Sequence, residues 1–287
     1  MVQSIFTAPA GGRYEPTEHA RGPWDPRALH GGAAAGLIAR AFERTTPGAE
    51  LPIARLSFEF LRPIPFAELE VTTEIVRAGR RMQELTAELR TAPDGGADYS
   101  RTPAGNDAPS GELIGRARAL RIQPVPEGLP DPDDRRSRPG PEPVRPLPGP
   151  EQGTVIRFAL GDTQATSLAT TGMEMSWLTD PRHLGPAQVW MRLREPILPG
   201  EEASPLVRLV ATADFANGVS RELEFDKYLF INADLTIHLW RTPRGEWIGL
   251  DAKTVLMDGG MGTAESVLHD ERGPVGRAYQ TLVVQPH

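Results

Sequence analysis

Four groups of polar residues in this chain have the types and settings needed to move protons or orient water. Asp214 stands in ATADFANG, in the last turn of a predicted helix, where the negative end of the helix dipole disfavours a carboxylate. A carboxylate held against that preference is a candidate general base. Gln280 interrupts an apolar closing strand between Tyr279 and Leu282, and its amide offers both a donor and an acceptor. Within Ile231 to Trp240, strict alternation places Asn232, Asp234, Thr236 and His238 on one face, opposite Ile231, Ala233, Leu235, Ile237 and Leu239. His30, Gly31 and Gly32 precede a helix whose first N–H groups, unobstructed at the glycines, can receive a carbonyl oxygen or a phosphate. Each group has an ordinary structural alternative: a solvated Asp before a turn, an outward-facing Gln, a wet strand face and a tight helix entry.

Composition narrows the chemistry. The 287 residues contain no Cys, so thiolate nucleophiles, disulfides and thiolate-bound metals are excluded, and the six His residues lack the spacing of a metal site. No Gly-x-Ser-x-Gly elbow occurs, which leaves water as the nucleophile. With 31 basic against 38 acidic side chains (net charge −7), the chain is not built to neutralise nucleic-acid phosphates. The first residues, MVQSIFTAPAGG, carry no signal-peptide pattern, and the most apolar stretch, Gly31 to Ala39, is too short to span a bilayer. The expectation is a globular, cytoplasmic protein without a membrane span.

The elements that must position these residues fall into two similar halves. Pro124 to Gly153 is so rich in Pro and charge that neither helix nor sheet can run through it. It reads as a linker, 124–153, between units 1–123 and 154–287, with Asp131 to Pro150 contributing little to the core. The units end alike, in GRARALRIQP and GRAYQTLVVQP. In the first, Ala33 to Arg44 is a helix with Leu37, Ile38, Ala41 and Phe42 on one face, followed by strands near Leu56 to Phe60, Leu69 to Val76, Leu85 to Leu89 and Glu112 to Ile122. Ala92 to Ser110 reads as a loop. The second opens with a strand at Gln188 to Arg194. A helix follows, with Ser204 as N-cap, Pro205 at N1 and Gly218 as its stop. Tyr228 to Trp240, Glu246 to Leu256, Gly262 to His269 and Val275 to Val284 are its strands. One early helix and a run of antiparallel strands per half make the class α+β, with internal duplication.

WDPRALHGGAAAGLIARAFE, FEFLRPIP, INADLTIHLWRTPRGEW and GRAYQTLVV, in that order, resemble the double hotdog acyl-CoA thioesterases of the thioesterase II group. The resemblance implies two antiparallel sheets, each wrapped around a central helix, and self-association as a dimer or larger homo-oligomer. It implies an acyl-CoA or related thioester as partner and no cofactor or metal. In that group an Asp, a Thr or Ser and a Gln hold the hydrolytic water. Asp214 and Gln280 match the first and last, whereas Asn232 stands where the hydroxyl belongs. His30, Gly31, Gly32 and Thr236 become candidate substrate contacts. Arg62, Arg80, Arg81 and Arg116 are candidates for the coenzyme A phosphates, and Trp190 and Trp240 for an acyl tunnel. The replaced hydroxyl keeps two functions open, a thioester hydrolase and a catalytically silent acyl-CoA binding protein.

Overall fold

The computed structural model describes residues 3–8, 12–45, 51–92, 111–124, 144–156 and 165–287. The first helix, α1 (Gly31–Arg44), buries Leu37, Ile38 and Phe42 as its periodicity requires. Its last turn is capped from a distance: the buried Arg121 guanidinium donates to the carbonyls of Phe42 and Thr45 at 2.6 and 2.9 Å. The second, α2 (Pro205–Ala213), starts where Ser204 Oγ accepts from Val207 N at 3.1 Å and ends at Ala213, with Asp214 as C-cap. A short α3 (Ala216–Val219) follows, so Gly218 lies inside a helix rather than beyond one.

Fourteen strands run in chain order: β1 (Phe6–Thr7), β2 (Arg13–Pro16), β3 (Ile53–Phe60), β4 (Leu69–Ala78), β5 (Met82–Thr91), β6 (Leu113–Ile122), β7 (Thr154–Val155), β8 (Met173–Trp177), β9 (Ala187–Leu193), β10 (Tyr228–Asn232), β11 (Asp234–Leu239), β12 (Trp247–Met257), β13 (Met261–Asp270) and β14 (Gly273–Pro286). The expectation of two sheets is corrected here. All fourteen belong to one antiparallel sheet, because β3 and β11 pair across the middle with Leu235 opposite Phe58 and Ile237 opposite Leu56. Each half would otherwise leave that strand as an open edge, and pairing the two edges removes both. Outward from this seam the order is β3, β6, β5, β4 on one side and β11, β14, β13, β12 on the other.

The predicted strand Tyr228 to Trp240 is broken at Ala233. Asn232 pairs with Leu282 and Thr236 with Tyr279, so four steps on one strand meet three on the other. This one-residue bulge switches the side-chain phase. Before it Phe230 is buried and Asn232 turns inward; after it Leu235, Ile237 and Leu239 are buried. The expected single polar face therefore does not exist.

Residues 125–143 of the expected linker, and 93–110 of the expected loop, lie outside the described residues. The linker's last part is anchored, since Trp190 Nε1 donates to Pro148 O and Ser176 Oγ to Pro150 O, both at 2.6 Å. Nor are the halves separate at the start of the chain, where the N–H groups of Ile5 and Phe6 donate to the carbonyls of Pro196 and Ile197. Among the described residues no helix is long and apolar enough to cross a membrane.

The two long helices touch through glycine. A Cβ at Gly32 would lie 2.5 Å from the backbone oxygen of Ala211 in α2, so Gly32→Ala must push the helices apart. Overpacking of this kind costs about 1–3 kcal/mol and exceeds the helix propensity gained. The variant is expected to unfold at lower denaturant concentration, whereas Gly218→Ala, whose Cβ meets nothing closer than 3.8 Å, is expected to be tolerated.

Candidate active site

Asp214 closes α2 with its side chain 2 % exposed, at the negative end of that helix. The structure shows what compensates. A Cβ at Gly31 would lie 2.8 Å from Asp214 Oδ2 and 3.0 Å from Oδ1, so the carboxylate rests directly on the N-terminus of α1. The positive end of one helix dipole offsets the negative end of the other, and glycine at 31 permits the approach.

Two side chains hold the carboxylate. Asn232, turned inward by the bulge, donates from Nδ2 to Asp214 Oδ1 at 2.8 Å and to the Asp234 carbonyl at 3.2 Å. His30, the N-cap of α1, brings Nδ1 to 3.0 Å from Asp214 Oδ2 and to 3.0 Å from Gly32 N. Its ring stacks on Phe215 with centroids 4.2 Å apart.

Asp214, Asn232, His30 and Gly31 all line a cavity of about 550 Å³. Its lining includes exposed Arg62, Ile231, Val283 and Gln285 and buried Ala169, Met175, Trp177 and Val219, and the Arg62 guanidinium is paired to Glu112. Such a volume suits a small ligand with an extended apolar part.

Not every expected residue joins this group. Gln280 is buried behind Asp214 rather than on the cavity wall: Nε2 donates to the Asp214 carbonyl at 3.0 Å, and Oε1 accepts from Asn217 N at 3.1 Å. It braces the turn between α2 and α3. Thr236 falls beyond the bulge, between Ser57 and Tyr279, and does not line the cavity. Arg80, Arg81 and Arg116 also lie away from it, as do Trp190, buried under Pro148, and Trp240, 52 % exposed. The aromatic lining comes instead from Trp24, Phe60, Trp177, Phe215 and Phe225, with Trp24 packed edge-on to Phe230 at 4.7 Å. Trp24 lies in the WDPRALHGG segment, Phe60 in FEFLRPIP and Phe215 beside Asp214 in ATADFANG; no local pattern marks Trp177 or Phe225.

Family comparison decides the lineage. Residues 126–284 match the model of the acyl-CoA thioesterase C-terminal domain and residues 20–100 that of the N-terminal domain. The chain belongs to the acyl-CoA thioesterase family. Among solved structures, a hot dog fold protein of unknown function from Alicyclobacillus acidocaldarius has a TM-score of 0.64 at 16% identity, covering 96% of this chain and 94% of its own. The acyl-CoA thioesterase II TesB2 of Mycobacterium marinum gives 0.61 at 15% identity, covering 98% and 96%. The tesB protein of Mycobacterium avium subs paratuberculosis gives 0.61 at 13%, also covering 98% and 96%. These likenesses establish a hotdog fold. No curated protein matches this chain in sequence.

Proposed function

We propose that this chain hydrolyses an acyl-CoA or closely related acyl thioester by direct attack of water, within two duplicated hotdog units that each wrap one helix. The observation that carries the reading is the Asp214 carboxylate, placed by α1, Asn232 and His30 on the wall of a cavity lined mostly by apolar residues. The acyl chain occupies the apolar end and the coenzyme A phosphates stay at the rim near Arg62. The thioester carbonyl then lies near the start of α1, where the Gly32 and Ala33 N–H groups already meet His30 and the Gly31 N–H is left to stabilise a developing oxyanion. Asp214 supplies the negative charge on which water activation depends. Because backbone groups engage Gln280 at both Nε2 and Oε1, it acts by fixing the Asp214 turn.

The second reading, a silent acyl-CoA binding protein, draws on those same observations: Asn232 replaces a hydroxyl and Gln280 does not reach the cavity. Incubation with acyl-CoAs of graded length separates the two. Thiol release that depends on chain length supports hydrolysis; saturable binding without thiol release selects the silent protein.

A further inference from the structure

We infer that the proton of the attacking water passes to Nε2 of His30, with Asp214 holding the imidazole in the state that can accept it. This rests on the hydrolytic reading above. The argument begins with one nitrogen and two claimants. His30 Nδ1 lies 3.0 Å from both Gly32 N, a donor, and Asp214 Oδ2, an acceptor. In the ring plane this nitrogen has either one lone pair or one N–H, so it cannot serve both. A bond to an ionised partner is roughly twice as strong as one between neutral groups. The carboxylate therefore decides the tautomer: Nδ1–H donates to Asp214 and Nε2 keeps its lone pair.

Nε2 is the atom with access to substrate. Among the described residues none hydrogen-bonds it, and the ring belongs to a residue that lines the cavity, so Nε2 is the ring nitrogen left to meet substrate. Asp214 is less available, with one oxygen held by Asn232 and the other facing His30. The Phe215 ring, stacked 23° from parallel, limits rotation of the imidazole. The step balances. Water oxygen bonds to the thioester carbonyl carbon as its proton moves to Nε2; the tetrahedral oxyanion collapses, the C–S bond breaks, and the leaving thiolate takes that proton back from Nε2–H. A carboxylic acid and a thiol result, His30 is again neutral, and Asp214 has stabilised the imidazolium without accepting a proton.

The competing role for His30 is structural, as N-cap of α1, and one substitution separates the two. Asn caps helices at least as well as most residues but is no base. His30→Asn is expected to keep its melting temperature and acyl-CoA affinity while thiol release falls by about a hundredfold or more. Added imidazole should restore part of the turnover of His30→Gly. Independently of activity, nitrogen-15 spectra of the wild-type ring should show the proton on Nδ1 and a bare Nε2. Thiol release by His30→Asn within twofold of wild type, or a ring protonated at Nε2 with Nδ1 bare, overturns the inference and leaves the hydrolytic reading standing. A wild-type protein that binds acyl-CoA and releases no thiol overturns both.

Discussion

Asp214→Asn is expected to lower thiol release by about a hundredfold or more, the usual range for lost general-base assistance, while fold and acyl-CoA affinity are retained. Every contact of the carboxylate can be rebuilt by the amide. Its oxygen accepts from Asn232 Nδ2 as before, and its NH₂ faces His30 Nδ1. That second contact is where function is lost. The amide donates to Nδ1 where the carboxylate accepted from it, so the ring must carry its proton on Nε2 and has no lone pair for water. Loss of negative charge also removes the partner of the imidazolium. Melting temperature, acyl-CoA affinity and single-turnover thiol release, measured together, check this. Unchanged thiol release in the folded variant would show that Asp214 serves the helix contact alone.

Much of the frame was legible because it depends on local chemistry. Ser204 and Pro205 mark the start of α2, Leu37, Ile38 and Phe42 mark the buried face of α1, and alternation marks eight of the strands within a few residues. Asp214 stood out because a carboxylate at a helix C-terminus conflicts with the dipole, and the compensation lay far away in sequence, at Gly31. Three things were not legible. The bulge at Ala233 depends on how β10 and β11 share β14, and alternation alone carried Thr236 to the same face as Asn232. The contact of His30 with Asp214 arises from packing α1 on α2 across the two halves. Gln280 interrupts an apolar strand, but its partners are backbone groups that no side-chain pattern encodes. The short strands β1, β2, β7 and β8 were missed because two to five residues give alternation too little room.

A second large effect is expected from His269, far from the site in function but not in consequence for handling the protein. It is fully buried at an irregularity in β13, and among the described residues neither ring nitrogen has a hydrogen-bond partner. Burial pushes its pKa down to about 4 from 6.5; Asp251 and Asp270 resist this and Arg241 adds to it. Because the folded value lies below the unfolded one, the unfolded chain binds the extra proton between them. Stability is thus fully present above about pH 6.5, declines as pH falls toward 4, and changes no further from this group once both states are protonated. The shift corresponds to about 3 kcal/mol. Neighbouring Asp270 titrates in a separate window. Burial opposes its ionisation, yet the Arg241 fork at 2.5 and 2.6 Å and the N–H groups of Arg272 and Arg244 more than offset that, so its pKa lies below the usual 3.8. Stability from Asp270 is retained above that pH and lost beneath it. Denaturant unfolding of wild type and His269→Leu at pH 7, 5.5 and 4.5 isolates the histidine together with its coupling to Asp251 and Asp270, since the other carboxylates contribute alike to both proteins. The variant should gain on wild type progressively as pH falls. A stability difference that stays constant across this range would mean that the imidazole is hydrated or partnered in solution.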